Sequence, residues 1–122
     1  MRLTRIITAK IRPEIMELVS SGAKRFEVRM ESFQDADFIR YVHADAPDVQ
    51  FEDGLRRLGC ERRFGRESDE FVRELSGVDD ETFRELFPRR RIWSPATRFD
   101  DLYVAPIGEP VTLDQMFERG NV

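Results

Sequence analysis

Polar and apolar residues alternate from residue 25 to residue 30, a pattern that predicts a half-buried β-strand. Successive side chains on a strand point to opposite faces. The apolar face is expected to carry Phe26, Val28 and Met30. The opposite face is expected to carry the charged side chains Arg25, Glu27 and Arg29. One charged strand face and one buried face therefore follow from this short segment alone.

Periodic apolar residues predict a helix immediately before this strand. Pro13 suits the first turn, where its missing N–H costs nothing, and Gly22 is a natural C-terminal stop. Further strands are expected at residues 3–10, 37–44, 55–64 and 101–106, with a turn over residues 44–48.

Two short helices are predicted in the second half of the chain. The first starts at Ser68 or Asp69 and ends at Gly77, and the second starts at Asp79 and ends at Pro88. Residues 89–98 are interpreted as an exposed basic loop. Thr112-x-x-Gln115 has the spacing of a capping box and predicts a last short helix. The order of elements indicates an α+β domain.

Composition restricts the classes of function. The chain has 122 residues, 40% apolar and 36% charged, which fits one domain with a modest core. No apolar run is long enough to span a bilayer, so no membrane association is expected. A single cysteine, Cys60, fits a reducing cytoplasm and is interpreted as a core or near-core thiol. One cysteine and one histidine, His43, cannot form a zinc site, and no metal or cofactor is expected.

Basic residues are clustered even though the net charge is −4. One run contains Arg56, Arg57, Arg62, Arg63 and Arg66. A second run, Arg89, Arg90 and Arg91, is followed by Trp93. Such local basic surfaces bind phosphates, and an adjacent aromatic ring can stack on a base. The alternative is a solvated face with Trp93 packed as a loop anchor.

The chemically richest segment is Gly22-Ala-Lys24-Arg-Phe-Glu27-Val-Arg29, a G-x-K-x-x-E-x-R pattern. An amine, a carboxylate and a guanidinium lie within eight residues. This cluster can bind an anion or polarise an amide. Surface ion pairs on an exposed strand are the alternative interpretation.

This segment, in its setting, resembles the ASCH domain, a relative of the PUA domain found in RNA-modification proteins. The resemblance extends over residues 11–29, Phe38-Ile-Arg-Tyr41-Val-His-Ala, and Leu102-Tyr103-Val-Ala-Pro106 followed by Pro110-Val-Thr112-Leu113. It implies a small, curved, PUA-like β-barrel of five or six strands, with short helices at its openings and a helical insert. It also implies a cleft between the barrel and the first helix, bordered by the last strand, residues 102–106.

The resemblance implies a module that binds RNA or a nucleotide in this cleft. Lys24 and Arg29 would contact phosphate or a base carbonyl, and Glu27 would accept hydrogen bonds from a base. Tyr41 and Tyr103 are candidate cleft residues. Arg89, Arg90, Arg91 and Trp93 would extend the binding track.

A second hypothesis is a small hydrolase. Some ASCH relatives hydrolyse the amide of acetylated cytidine with a lysine, a threonine and a glutamate, and others are linked to cleavage of single-stranded RNA. Lys24 matches the lysine, but Glu27 stands where the threonine is expected. Three residues are candidates for the glutamate: Glu61, Glu67 and Glu70. A regulatory protein-binding role is a third possibility.

Overall fold

The computed structural model describes residues 3–89 and 100–120, with side chains described up to Met116. The elements in chain order are β1 Ile6–Ile11, α1 Pro13–Ser21, β2 Phe26–Arg29, β3 Phe38–His43, β4 Ala46–Leu58, β5 Arg62–Phe64, a 3-10 turn Arg66–Ser68, α2 Asp69–Ser76, α3 Asp80–Leu86, β6 Leu102–Pro110 and α4 Leu113–Gly120. The expected α+β class and number of strands are confirmed.

The six strands form one mixed sheet in the order β1-β3-β4-β6-β2, with β5 also paired to β6. β1 runs parallel to β3, whereas the other ladders are antiparallel. No ladder joins β1 to β2 in the described part of the chain, so the sheet is curved but not closed into a barrel. The edge strands at the two ends of this order are therefore β1 and β2.

One side-chain contact shows how strongly the sheet curves. Tyr41 on β3 donates a hydrogen bond from its hydroxyl to Glu27 on β2, with 2.8 Å between the oxygens. β4 and β6 lie between these two strands in the sheet order. A flat sheet would separate them by three strand spacings, about 14 Å. The side chains meet only because the sheet wraps around its own interior.

The helix ends follow the sequence predictions. Pro13 occupies the first turn of α1, and Gly22 ends it with a φ of 83°. The side chain of Asp79 accepts a hydrogen bond from the backbone of Thr82 at the start of α3. Thr112 and Gln115 exchange the two hydrogen bonds of a capping box, at 2.9 and 3.1 Å.

The prediction for residues 44–64 was wrong in part. The expected turn over residues 44–48 is shorter, because β4 already begins at Ala46 and runs for 13 residues. Most side chains from Pro47 to Asp53 are exposed, so no apolar alternation marks this half of the strand. Gly54 is required there, since a Cβ would lie 2.7 Å from the Tyr41 carbonyl oxygen.

The strand expected over residues 55–64 is two strands separated at residues 59–61. Cys60 lies in that interruption and is exposed, so its assignment to the core was also wrong. A residue between two strands is not committed to either face, and periodicity does not predict its burial. Of the predicted basic loop, only Arg89 belongs to the described residues.

The hydrophobic core has two main parts, on opposite faces of the sheet. Inside the curve, α1 packs on β1 and β3 through residues that include Ile15, Val19, Ile39 and Tyr41. On the other face, the insert formed by α2 and α3 packs on β2 and β6. Phe26, Val28 and Met30 lie in that second cluster, as the alternating pattern predicts. No helix in the described part of the chain is long and apolar enough to cross a membrane.

Two helix-terminating glycines provide a test of this packing. Gly22 and Gly77 both have positive φ, and alanine in that conformation costs about 1–2 kcal/mol. A Cβ on Gly22 would have no neighbour within 4 Å, whereas one on Gly77 would lie 3.2 Å from the Lys24 Cα. Gly77→Ala is therefore expected to lower the free energy of unfolding by more than Gly22→Ala does.

Urea denaturation of both variants measures the difference. An equal loss in the two variants would contradict tight packing of the end of α2 against Lys24.

Candidate functional site

A cleft of about 600 Å³ lies between the edge strands β1 and β2, where the sheet is not closed. β1 and the residue after it form one wall, and β2 and its flanking residues form the other. α1 and the insert complete the lining. The residues that line the cleft are Thr8, Ala9, Lys10, Ile11, Arg12, Ile15, Lys24, Glu27, Val28, Arg29, Met30, Glu31, Ala44, Ser76, Val78, Leu86 and Phe87.

Lys24 enters the cleft from the short connection between α1 and β2. Its backbone N–H donates to the Leu18 carbonyl, which folds the connection back over the end of α1. Only 7% of the residue is exposed, and its ammonium donates to the Ser76 carbonyl at 2.9 Å. Burial lowers the pKa of Lys24, while the nearby Glu27 carboxylate partly opposes this shift.

Glu27 projects from the middle of β2 into the same cleft, where the fully buried Tyr41 donates to its carboxylate. Desolvation raises the pKa of Glu27, against the opposing effects of Lys24, the Tyr41 hydrogen bond and Arg29. Desolvation and the adjacent carboxylate also raise the pKa of Tyr41 well above its usual range. Tyr41 is therefore a neutral donor that holds the carboxyl group in place.

Lys24 and Glu27 attract each other without forming a direct ion pair within the described chain. One of the three ammonium hydrogens is used by Ser76, and one carboxylate oxygen is used by Tyr41. The remaining donors and the second carboxylate oxygen are the groups that a ligand can use. The pair forms a donor and an acceptor side by side in a partly desolvated site.

Arg29 and Tyr103 occupy paired positions on β2 and β6, but only Arg29 lines the cleft. The Arg29 guanidinium lies over the ring of the buried Phe33, 5.8 Å from its centroid. This contact orients the charge. The Tyr103 ring instead packs beneath Arg63, at 5.6 Å.

The arginine runs are largely committed to structural contacts. Arg66 is buried and binds Asp69, Asp100 and the Phe87 carbonyl, which ties the insert to the start of β6. Arg89 donates to the Arg66 carbonyl and pairs with Asp69, and it does not line the cleft. Arg90, Arg91 and Trp93 lie outside the described residues, so their predicted ligand contacts stay predictions.

Sequence reasoning missed two cations in the cleft, Lys10 and Arg12, and the acid Glu31. With Lys24, Arg29 and Glu27, the lining has four cationic side chains and two carboxyl groups, although the whole chain has a net charge of −4. The signal in the sequence was weak, because Lys10 ends a strand with no recognisable motif. Its position as one of only two lysines in the chain was the available clue.

The three candidate glutamates and His43 are not among the residues that line the cleft. Glu61 accepts hydrogen bonds from Ser32 and from the Phe33 backbone, and Glu67 and Glu70 do not line the cleft. The His43 ring stacks on Phe51, 3.7 Å between centroids. Among residues 3–89 and 100–120, no group of three or more histidine, cysteine or acidic side chains is arranged to hold a metal ion.

Two solved structures are similar to this chain. One is an ASCH protein from Zymomonas mobilis, with a TM-score of 0.54 and 18% identity over 96% of this chain and 79% of that one. The other is a tyrosine-to-phenylalanine mutant of a Zymomonas mobilis ASCH protein. Its TM-score is 0.57, and it is 16% identical over 99% of this chain and 84% of that one. The chain has an ASCH-type fold. No protein-family model and no curated protein matches the sequence.

The hydrogen bond between Tyr41 and Glu27 yields a prediction about pH. Because the folded state raises the pKa of Glu27 above its ordinary 4.5, folding favours the protonated carboxyl. The stabilising contribution is therefore complete below pH 4.5 and is lost as pH rises through the raised pKa. Tyr41→Phe removes a donor to the carboxylate and should raise the pKa of Glu27 further. NMR titration of the Glu27 carboxyl carbon measures this pKa.

Tyr103→Phe serves as the matched control, because Tyr103 makes no hydrogen bond to Glu27. A pKa of Glu27 that is equal in the wild type and in Tyr41→Phe would contradict the contact. Equal shifts in both variants would mean that the effect is not specific to Tyr41.

Proposed function

We propose that this domain binds a nucleotide or a short segment of single-stranded RNA in the cleft. The observation that carries the proposal is the placement of buried Lys24 and half-buried Glu27 in one concave site, next to each other but without a direct ion pair. A cleft of about 600 Å³ has the size of a small-molecule site. The ASCH-type fold agrees with this proposal.

The available polar groups suit a nucleobase. A base edge presents carbonyl oxygens, ring nitrogens and amino groups, which need donors and acceptors at fixed positions. Lys24 has donors left for a carbonyl oxygen, and Glu27 has an oxygen left for an amino group. The guanidinium of Arg29, oriented by Phe33, adds further donors on the same wall.

A purely structural role for Lys24 and Glu27 accounts less well for their geometry. Burying a charge costs free energy unless it is paired and hydrogen-bonded, and a stabilising pair would be in direct contact. Here the pKa of each group is shifted towards its neutral form. Opposed pKa shifts of this kind, in a cleft, are typical of functional sites.

Arg89, Arg90, Arg91, Trp93 and Tyr103 remain proposed extensions of the binding track. For Arg89, contact with a phosphate would have to replace or add to its existing contacts with Asp69 and the Arg66 carbonyl.

Lys24→Met tests the binding proposal, because methionine keeps most of the side-chain volume and removes the charge. Affinity for a short single-stranded RNA or a nucleotide should fall at least tenfold, as expected when a charged hydrogen bond is lost. The free energy of unfolding should change by less than about 1 kcal/mol, since relief of the buried charge offsets the lost Ser76 contact. Calorimetric titration and urea denaturation measure the two quantities.

Arg25→Met is the matched control, because it removes an exposed cation from the adjacent position. Unchanged affinity in Lys24→Met, or an equal loss in both variants, would contradict the proposal. Loss of binding together with a large loss of stability would assign Lys24 a structural role.

Hydrolysis of an acylated nucleoside or of RNA is a second candidate function. The favouring observation is that the pKa of Lys24 is lowered and that of Glu27 is raised, so either group is shifted towards the range of a general base near neutral pH. The unmatched threonine position weighs against it, because Glu27 supplies a carboxyl group instead of a hydroxyl.

Mass spectrometry distinguishes the two functions. The protein is incubated with acetylated cytidine, unmodified cytidine and a short single-stranded RNA, beside Glu27→Gln and Lys24→Met controls. The binding proposal predicts no product. A product formed by the wild type and by neither control would establish hydrolysis, and its mass would identify amide or strand cleavage.

A further inference from the structure

Two cationic side chains at one end of the cleft have no part in the contacts proposed for Lys24 and Glu27. Lys10 lies near the end of β1 and Arg12 directly after it, two positions apart in extended backbone, so their backbones are about 7 Å apart. Lys10 is exposed, and the Arg12 side chain is 40% exposed. They form a basic rim, defined here as Lys10 and Arg12, where the cleft meets solvent.

The rim is partly occupied by an acid from the insert. Arg12 donates to the carboxylate of Glu85 on α3 at 2.8 Å, and the Glu85 side chain is 59% exposed. Glu85 itself does not line the cleft. An ion pair this exposed contributes little to stability, because water solvates both partners well. Another anion at the rim can therefore replace Glu85 as the partner of Arg12.

A phosphate group is the anion that suits this exchange. Its oxygens accept two parallel hydrogen bonds from a guanidinium, and its charge exceeds that of a carboxylate. Lys10 adds a second cation within reach. The interior of the cleft suits a phosphate less well, because the half-buried carboxyl group of Glu27 lies there, whereas Glu31, which also lines the cleft, is exposed.

The rest of the lining indicates how such a ligand lies. Apolar side chains from α1 and the insert face the cleft: Ile15, Val78, Leu86 and Phe87. A flat base can pack against this wall while its edge meets Lys24 and Glu27. A ligand in that orientation would direct its sugar towards the rim and its phosphate to a position where solvent keeps the cost of desolvation low.

We propose that Lys10 and Arg12 bind a phosphate group of the ligand at the rim of the cleft, and that this phosphate displaces Glu85 from Arg12. This inference rests on the proposed function. Glu85 then acts as a competing anion. It lowers the affinity of every phosphate-bearing ligand by an amount set by the strength of its own ion pair with Arg12. The affinity of ligands without a phosphate is unaffected.

Calorimetric titration with the four common ribonucleosides and their 5′-monophosphates tests this assignment. The monophosphate of the preferred base is expected to bind the wild type at least tenfold more tightly than its nucleoside, as for a charged hydrogen bond. Arg12→Gln should lower the affinity for the monophosphate more than the affinity for the nucleoside. Glu85→Gln should tighten the monophosphate by up to about fivefold, which is the strength of an exposed ion pair.

Two controls make the test specific. Glu81→Gln removes an exposed charge from the same helix without touching Arg12 and should not change affinity. In the double variant Arg12→Gln/Glu85→Gln, the gain from Glu85→Gln should disappear, because the two residues act through one contact.

The outcomes separate this assignment from the proposed function. If a nucleoside and its monophosphate bind equally, or if Glu85→Gln and Glu81→Gln have the same effect, the rim does not bind phosphate, although the cleft still binds nucleosides. Binding of single-stranded RNA without any monophosphate binding would likewise overturn the assignment alone. If neither RNA nor any of the eight compounds binds, the proposed function fails as well.

Discussion

The buried position of Lys24 is the constraint on which the cleft depends. Its backbone N–H donates a hydrogen bond to the Leu18 carbonyl near the end of α1, and its Cα packs against Gly77. Its ammonium donates a hydrogen bond to the Ser76 carbonyl. The backbone of this one residue thus joins the first helix, the start of β2 and the end of α2, and its ammonium adds one further contact to the end of α2. Because the insert lines part of the cleft, moving Lys24 would change both the position of the charge and the shape of the site.

The local charge of the cleft does not follow the net charge of the chain. The chain is acidic overall, and most of its described arginines near the insert are used in ion pairs and carbonyl contacts, as Arg66 and Arg89 show. The cleft has the opposite balance. A basic run in a sequence is therefore a poor guide to where a protein is electropositive, because acidic partners brought in by folding cancel it locally.

The parts of the fold that depend on neighbouring residues could be predicted from the sequence. The alternating faces of β2, the glycine at the end of α1 and the capping box of α4 each involve residues at most a few positions apart. Long-range contacts could not be predicted in this way. Tyr41 reaches Glu27 only because the sheet curves, and nothing around Tyr41 in the sequence distinguishes a core ring from a cleft donor.

The candidate site shows the same division. Lys24, Glu27 and Arg29 were predicted because they lie on one short segment with a recognisable pattern, and the cleft contains all three. Lys10 lies on a different edge strand and Arg12 directly after it, and only the open sheet places that strand opposite β2. Their contribution follows from the absence of a β1–β2 ladder in the described structure, and the sequence contains no local signal for it.

The open sheet also has a consequence for solubility. An unpaired strand edge offers a row of backbone donors and acceptors to any other extended chain, and it is a common starting point of aggregation. α2 contacts β2, one of these edge strands, through apolar side chains on the face of the strand. The insert that shapes the cleft therefore also helps to hold this edge strand on the sheet. A change that loosens it would expose an edge strand before it unfolded the core, and the first sign of damage would be self-association.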